Sequence, residues 1–136
     1  MKIFLDTNVL ISAVATRGLC ADVFREVILS HQLVISRSLL SEIKRVLTYK
    51  LGVPDEFVTE FMEIIERDSL LSDSSPLAEI DIRDRDDVVI LSAALKAGVD
   101  FFITGDKELL ALRQLGTMEI ISPREFWDRL TRVNKG

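Results

Sequence analysis

The residues best suited to chemistry are acids that close short apolar runs. Leu5-Asp6-Thr7-Asn8 ends the run Lys2–Asp6, and Thr104-Gly105-Asp106 ends the run Asp100–Thr104. Glu42 lies in a helical pattern that follows a third run, Gln32–Ser36, and Asp87 lies in the first turn of a helical stretch from Asp84 to Ala97. In an open α/β sheet, ligands bind beyond the carboxyl ends of the strands, which is where these acids would stand. Carboxylates brought within ~4 Å repel by several kcal/mol at an effective dielectric of about 20. A cluster of that kind persists only with a compensating cation. Oxygen donors without His or Cys suit Mg²⁺ or Mn²⁺ rather than zinc or copper.

Each of these residues also has a purely structural reading. Asp6 or Thr7 can cap the helix that follows, and Asp106 can cap a turn after Gly105. Asp84, Asp86 and Asp87 complement a helix dipole, worth about 0.3–1 kcal/mol each. Glu42 alone reads as a solvated helix acid. Thr104 can orient a water or a metal ligand, or it can cap the next turn. An acidic pocket also needs cations to hold a nucleic-acid backbone. Arg17, Lys44, Arg45, Arg83, Arg85 and Lys107 are near the motifs, although surface charge is their default role.

The elements that must position the acids follow from periodicity. Beyond the three runs above, Met118–Ile121 reads as a fourth strand. Helices are expected from Thr7 to Gly18 and from Leu19 to Leu29. A third opens at Ser38 with Leu39, Leu40, Ile43, Val46 and Leu47 at helical spacing. Pro54 starts a fourth carrying Phe57, Phe61, Ile64 and Ile65, and Ser122-Pro123 opens a closing helix. A short helix runs through Leu109, Leu110 and Leu112. The stretch from Ser69 to Asp81 is the least regular. Strands alternating with helices predict an α/β fold, a parallel sheet covered on both faces. No linker interrupts residues 1–136, so one domain is expected.

Composition narrows the classes. The chain has 136 residues, 48% apolar and 29% charged, without repeats, which excludes disordered and fibrous proteins. One cysteine rules out a disulfide scaffold, and Cys20 with His31 cannot complete a zinc site. Cys20 reads as a small apolar packer and His31 as a surface or strand-start residue. The opening apolar stretch imitates a signal peptide, but Asp6 and Asn8 break it, so a cytoplasmic protein without membrane association is expected. A net charge of −5 argues against a constitutive nucleic-acid binder. With four carboxylates set aside for a cation site, −5 becomes −1, a nearly neutral surface.

The quoted motifs carry a resemblance. Met-Lys-Ile-Phe-Leu-Asp6-Thr7-Asn8-Val-Leu, Glu42, Asp84-Arg-Asp-Asp87-Val-Val-Ile-Leu-Ser-Ala-Ala and Ile103-Thr104-Gly105-Asp106-Lys-Glu-Leu-Leu resemble, in order and over about residues 1–127, the PIN-domain ribonuclease family. The opening and the Thr-Gly-Asp motif are specific in combination, whereas the lone glutamate is weak. The resemblance implies a three-layer α/β/α sandwich whose acidic pocket binds divalent metal and cleaves single-stranded RNA. By that match Asp6, Glu42, Asp87 and Asp106 are catalytic metal ligands, with Asn8 and Thr104 as accompanying polar positions. One or two Mg²⁺ or Mn²⁺ ions would lower the pKa of a bound water and offset phosphate charge. Asp84 matches one branch of the family that includes many toxin components of toxin–antitoxin pairs, which implies an antitoxin partner. A homodimer is expected from the apolar surface of the Pro54–Arg67 stretch and of Phe126-Trp127.

Two rivals differ in class. A phosphatase or phosphotransferase with a nucleophilic Asp6 would want a second Asp two residues on, where Asn8 stands, and no Gly-rich phosphate loop is present. A catalytically silent PIN fold kept for protein interaction would be expected to lack a site acid, and all four positions are filled.

Overall fold

The computed structural model describes residues 1–77 and 79–135, the side chains of 133–135 excepted. Chain order is β1 (Lys2–Leu5), α1 (Thr7–Ala15), α2 (Leu19–Ser30), β2 (Gln32–Ile35), α3 (Arg37–Arg45), α4 (Asp55–Asp68) and β3 (Ser69–Leu71). Then come α5 (Arg85–Lys96), β4 (Phe101–Ile103), α6 (Lys107–Leu110), β5 (Gln114–Leu115), β6 (Met118–Ile121) and α7 (Pro123–Lys135). A π-helical turn, Val46–Lys50, prolongs α3.

The six strands form one sheet in the order β3-β2-β1-β4-β6-β5. All neighbours are parallel except β5, which runs antiparallel to β6. Parallel neighbours are joined by right-handed crossovers, and that rule sorts the helices. The chain moves from β1 to β2 to β3 in one direction, so α1 to α4 cover one face. It then crosses back past β2 and β1 to reach β4, which carries α5 to the other face. α7 packs on α2 and returns to the first face. The expected α/β sandwich around a mostly parallel sheet is therefore the observed one.

Between those faces lies a continuous apolar core. β1, β2 and β4 contribute Ile3, Phe4, Leu5, Leu33, Val34, Ile35, Phe102 and Ile103, all 0% exposed. Phe4 and Phe102, on neighbouring strands, stack with ring centroids 5.0 Å apart. Each such side chain contributes roughly 1.5–3 kcal/mol of burial free energy. Strands buried on both faces carry no polar alternation, which is why these runs are apolar throughout.

Two strands were not foreseen. β3 lies in the stretch expected to be irregular, where Ser69–Leu71 pairs in parallel with Leu33–Ile35. Its residues are only partly buried or exposed, so it is an edge strand held by backbone pairing and carries no local pattern. β5 is two residues long and exists only as the far side of a hairpin. There Leu115 pairs with Met118 around a two-residue loop, and Gly116 supplies the φ of +58° that the turn requires. α6 is also shorter than expected and ends at Leu110.

Phe126 does not offer a docking face. It is 2% exposed, packed edge-on against His31 and Phe101. The wider π-helical turn after α3, closed by the Leu51 amide donating to the Val46 carbonyl at 3.0 Å, had no sequence signal either. Among the described residues no helix is long and apolar enough to cross a membrane.

Candidate active site

β1 and β4 are adjacent, and the chain leaves them in opposite directions, to β2 on one side and β6 on the other. Their carboxyl ends flank the topological switch point, where a crevice opens in sheets of this kind. Asp6 and Thr104 are the residues that follow them. The Asp6 amide donates to the Ile103 carbonyl at 3.0 Å, and the Thr104 amide to the Ile121 carbonyl at 3.1 Å. The sheet's hydrogen bonding thus extends into the site and fixes its floor.

A short relay joins the two strand ends. Thr104 is completely buried, and its hydroxyl donates to Asp6 Oδ2 at 2.7 Å. The same Thr104 oxygen accepts the Asp106 amide at 3.0 Å. Asp6 Oδ1 accepts the Thr7 amide at 2.8 Å and caps α1. Asp106 Oδ1 accepts the Glu108 amide at 2.8 Å and caps α6. In Asp6 the cap uses Oδ1 and the Thr104 bond uses Oδ2, and each carboxylate oxygen keeps a further lone pair for another partner. Asn at position 8 is exposed in the first turn of α1.

α5 brings the third acid. Because β3 ends at the carboxyl edge and α5 runs back against the strands, the amino end of α5 lies at that edge. Asp84 caps it, its Oδ1 accepting the amides of Asp86 at 2.9 Å and Asp87 at 3.4 Å. Two serines pin the connection that delivers α5. The Ser72 hydroxyl donates to the Ala93 carbonyl at 2.9 Å. The buried Ser92 hydroxyl donates to the Val88 carbonyl at 2.6 Å and accepts the Leu77 amide at 3.0 Å. Neither serine stood out in the sequence, because their work is done across the fold.

The electrostatics show which acids feel one another's charge. Burial raises Asp6 above the ordinary aspartate value, and the charge of Asp106 adds to that. The hydrogen bonds from Thr104 and Thr7 act against the rise. Asp87 is pushed up to about 6, first by burial, then by the charges of Asp84, Asp6, Asp106 and Glu108. Asp6, Asp87 and Asp106 therefore occupy one field of negative charge, into which the amino ends of α1 and α5 also point. Asp84 and Glu108 belong to that field. Glu108 was visible within the Thr-Gly-Asp motif but carried no site signal there. The Asp86 side chain is exposed, and its charge is not among those that act on Asp87.

Glu42 is not among the groups whose charge acts on these acids. It is exposed as the sixth residue of α3, about 8 Å along the helix axis from its start at the same sheet edge. Among the described residues no three His, Cys, Asp or Glu side chains are gathered tightly enough to hold a metal ion. The donors on offer are nonetheless carboxylate and hydroxyl oxygens. His31 stands before β2 at the opposite edge, and Cys20 lies in α2. That donor set fits a hard divalent cation.

Comparison with curated proteins finds no match. Among solved structures, the chain is similar to VapBC2 from Rickettsia felis, a crystal structure bound to a DNA fragment from their promoter. Identity is 13% and the TM-score 0.59, over 90% of this chain and 98% of that one, a likeness of fold. A family model described as the PIN domain matches residues 2–108, a span that takes in Asp6, Glu42, Asp87 and Asp106. By that match the chain belongs to the PIN domain family.

Proposed function

We propose that the protein is a divalent-metal-dependent endoribonuclease that cleaves single-stranded RNA. The observation that carries the reading is the shared negative field of Asp6, Asp87 and Asp106 at the β1/β4 switch point. Burial, and after it the charges of neighbouring acids, raise Asp87 there to about 6. A cation drawn into such a field would ease it. Asp6, Asp87 and Asp106 would hold Mg²⁺ or Mn²⁺, with Glu42 reaching in from α3. When bound, the ion supplies an acidified water and charge to offset the attacked phosphate.

The chain's own residues do the rest. Thr104 holds Asp6 Oδ2 in place from a fully buried position and ties it to the Asp106 backbone. Asn8, exposed in the first turn of α1, offers a side-chain donor toward an anionic substrate. A homodimer and an antitoxin partner belong to the same proposal. Exposed Phe57 and Leu51 support the first. Asp84, which opens the motif of the toxin branch, supports the second, together with the fold likeness to VapBC2.

Cleavage of single-stranded RNA with Mg²⁺ or Mn²⁺, its arrest by EDTA and its loss in Asp6→Asn test the reading. Asn at position 6 keeps only one oxygen acceptor for Thr7 and Thr104, so the variant's fold is checked separately by circular dichroism. A folded Asp6→Asn that cleaves at the wild-type rate removes Asp6 from the catalytic set. A phosphatase would instead release phosphate from a monoester, and a silent interaction fold would do neither.

A further inference from the structure

A second feature lies on the far side of Glu42. The segment from Arg37 to Lys50 carries four basic residues and one acid, a local charge of +3 in a chain of −5. Its outward face and the start of α4 enclose a groove of about 650 Å³ lined by Ser41, Lys44, Arg45, Thr48, Tyr49 and Asp55, among others. Among the described residues neither Lys44 nor Arg45 is held in an ion pair. Tyr49 is 82% exposed, and no aromatic neighbour covers it. A large ring left in solvent beside free cations has no packing explanation.

The groove lies along α3 and its π-helical extension, and α3 starts at the sheet edge of the candidate active site. Ser36, 1% exposed, follows β2 at the carboxyl edge, and its hydroxyl lies 3.1 Å from that of Ser38. Ser38, Glu42 and Arg45 stand at i, i+4 and i+7, one stripe along α3. Tyr49 comes four residues after Arg45, in the π-helical turn, a distortion that often marks functional positions. The stripe thus runs from the sheet edge, past Glu42, to Arg45 in the groove lining.

We propose that this groove is a subsite for single-stranded RNA, with Lys44 and Arg45 on backbone phosphates and Tyr49 as a platform for one base. The inference rests on the ribonuclease reading and names where the strand lies beyond the cutting point. Base stacking on an aromatic side chain tolerates any sequence, and cations along a groove track the backbone. Asp55 belongs to the amino end of α4, so its charge complements that helix and leaves the two cations for the strand.

The test is binding of a fluorescein-labelled single-stranded oligouridylate, read by fluorescence anisotropy in EDTA so that nothing is cleaved. Tyr49→Ala is expected to weaken binding about 5- to 150-fold, with Tyr49→Phe close to wild type. Lys44→Ala with Arg45→Ala is expected to flatten the dependence of log K on log salt by about 1.4, roughly 0.7 per lost phosphate contact. These side chains are exposed, so melting temperatures near wild type show that the variants are folded. Wild-type binding and salt dependence in these variants would overturn the proposal, as would absence of RNA binding by the wild type. A groove built for a protein partner gives the first of those results. If the expected losses appear while the wild type cleaves nothing with Mg²⁺, the groove stands and the nuclease reading fails. If the wild type cleaves and the variants bind unchanged, the reverse holds.

Discussion

Replacing Asp87 by Asn removes one negative charge from the first turn of α5 and leaves the side-chain volume almost unchanged. Burial, followed by the charges of Asp84, Asp6, Asp106 and Glu108, lifts Asp87 from 3.8 to about 6. The folded protein therefore binds this proton more tightly than the unfolded chain does. Stability contributed by the protonated form is complete below 3.8 and is lost as pH rises to about 6. At about 1.36 kcal/mol per pKa unit the ceiling of that loss is ~3 kcal/mol. Asp87 is partly exposed, so solvent screening roughly halves the figure. Losing an acid at the amino end of α5 returns about 0.5 kcal/mol. About 1 kcal/mol remains, or about 3 °C in melting temperature for a domain of this size.

The assay is thermal unfolding of wild type and Asp87→Asn in EDTA across pH. The variant is expected to melt about 3 °C higher at about pH 7.5 and no higher than wild type at about pH 3.5. Adding Mg²⁺ or Mn²⁺ at neutral pH should then stabilise the wild type more than the variant, because the cation relieves a repulsion that the variant lacks. An Asp87→Asn protein that melts at or below wild type at neutral pH would refute the electrostatic account. So would a gain of equal size in acid.

Thr104→Val should cost about 1–2 kcal/mol in chemical denaturation, since Asp6 Oδ2 and the Asp106 amide each lose a partly buried hydrogen-bond partner. Thr104→Ser should recover most of that loss and also recover cleavage; a valine variant of wild-type stability would remove the relay. Glu42→Gln is expected to leave stability within about 0.5 kcal/mol, because the side chain is exposed, yet to depress metal-dependent cleavage. Unchanged cleavage would take Glu42 out of the site. Sedimentation velocity at high micromolar concentration should show a dimer that Phe57→Lys shifts toward monomer, and a wild-type monomer would count against the proposed assembly.

Much of this molecule can be read along the chain. The apolar runs of β1, β2, β4 and β6 are strands buried on both faces, and such strands need no partner to be recognised because burial makes them apolar throughout. The long helices declare themselves by spacing and caps, and α5 begins one residue after the Asp84 that caps it. Asp6, Glu42, Asp87 and Asp106 could all be assigned to one edge because the carboxyl edge of a parallel sheet collects strand ends and helix starts alike. What makes that placement predictable is parallelism: strands that run the same way end at one edge, and the helices that leave them begin there.

Only the tertiary structure decided the rest. β3 and β5 are strands because of what lies beside them, Leu33–Ile35 and Met118-Glu119, and three or two residues carry no period of their own. Phe126 was counted as surface and is core, since His31 and Phe101 arrive from distant parts of the chain to cover it. Thr104 left orienting and capping open in the sequence, and its buried hydroxyl serves both Asp6 and Asp106. The raised pKa of Asp87 belongs to no motif, because burial and four neighbouring charges from separate segments produce it. Local pattern fixes which residues are apolar, capped or acidic. Distance between charges, and the water removed from around them, exist only once the chain has closed on itself.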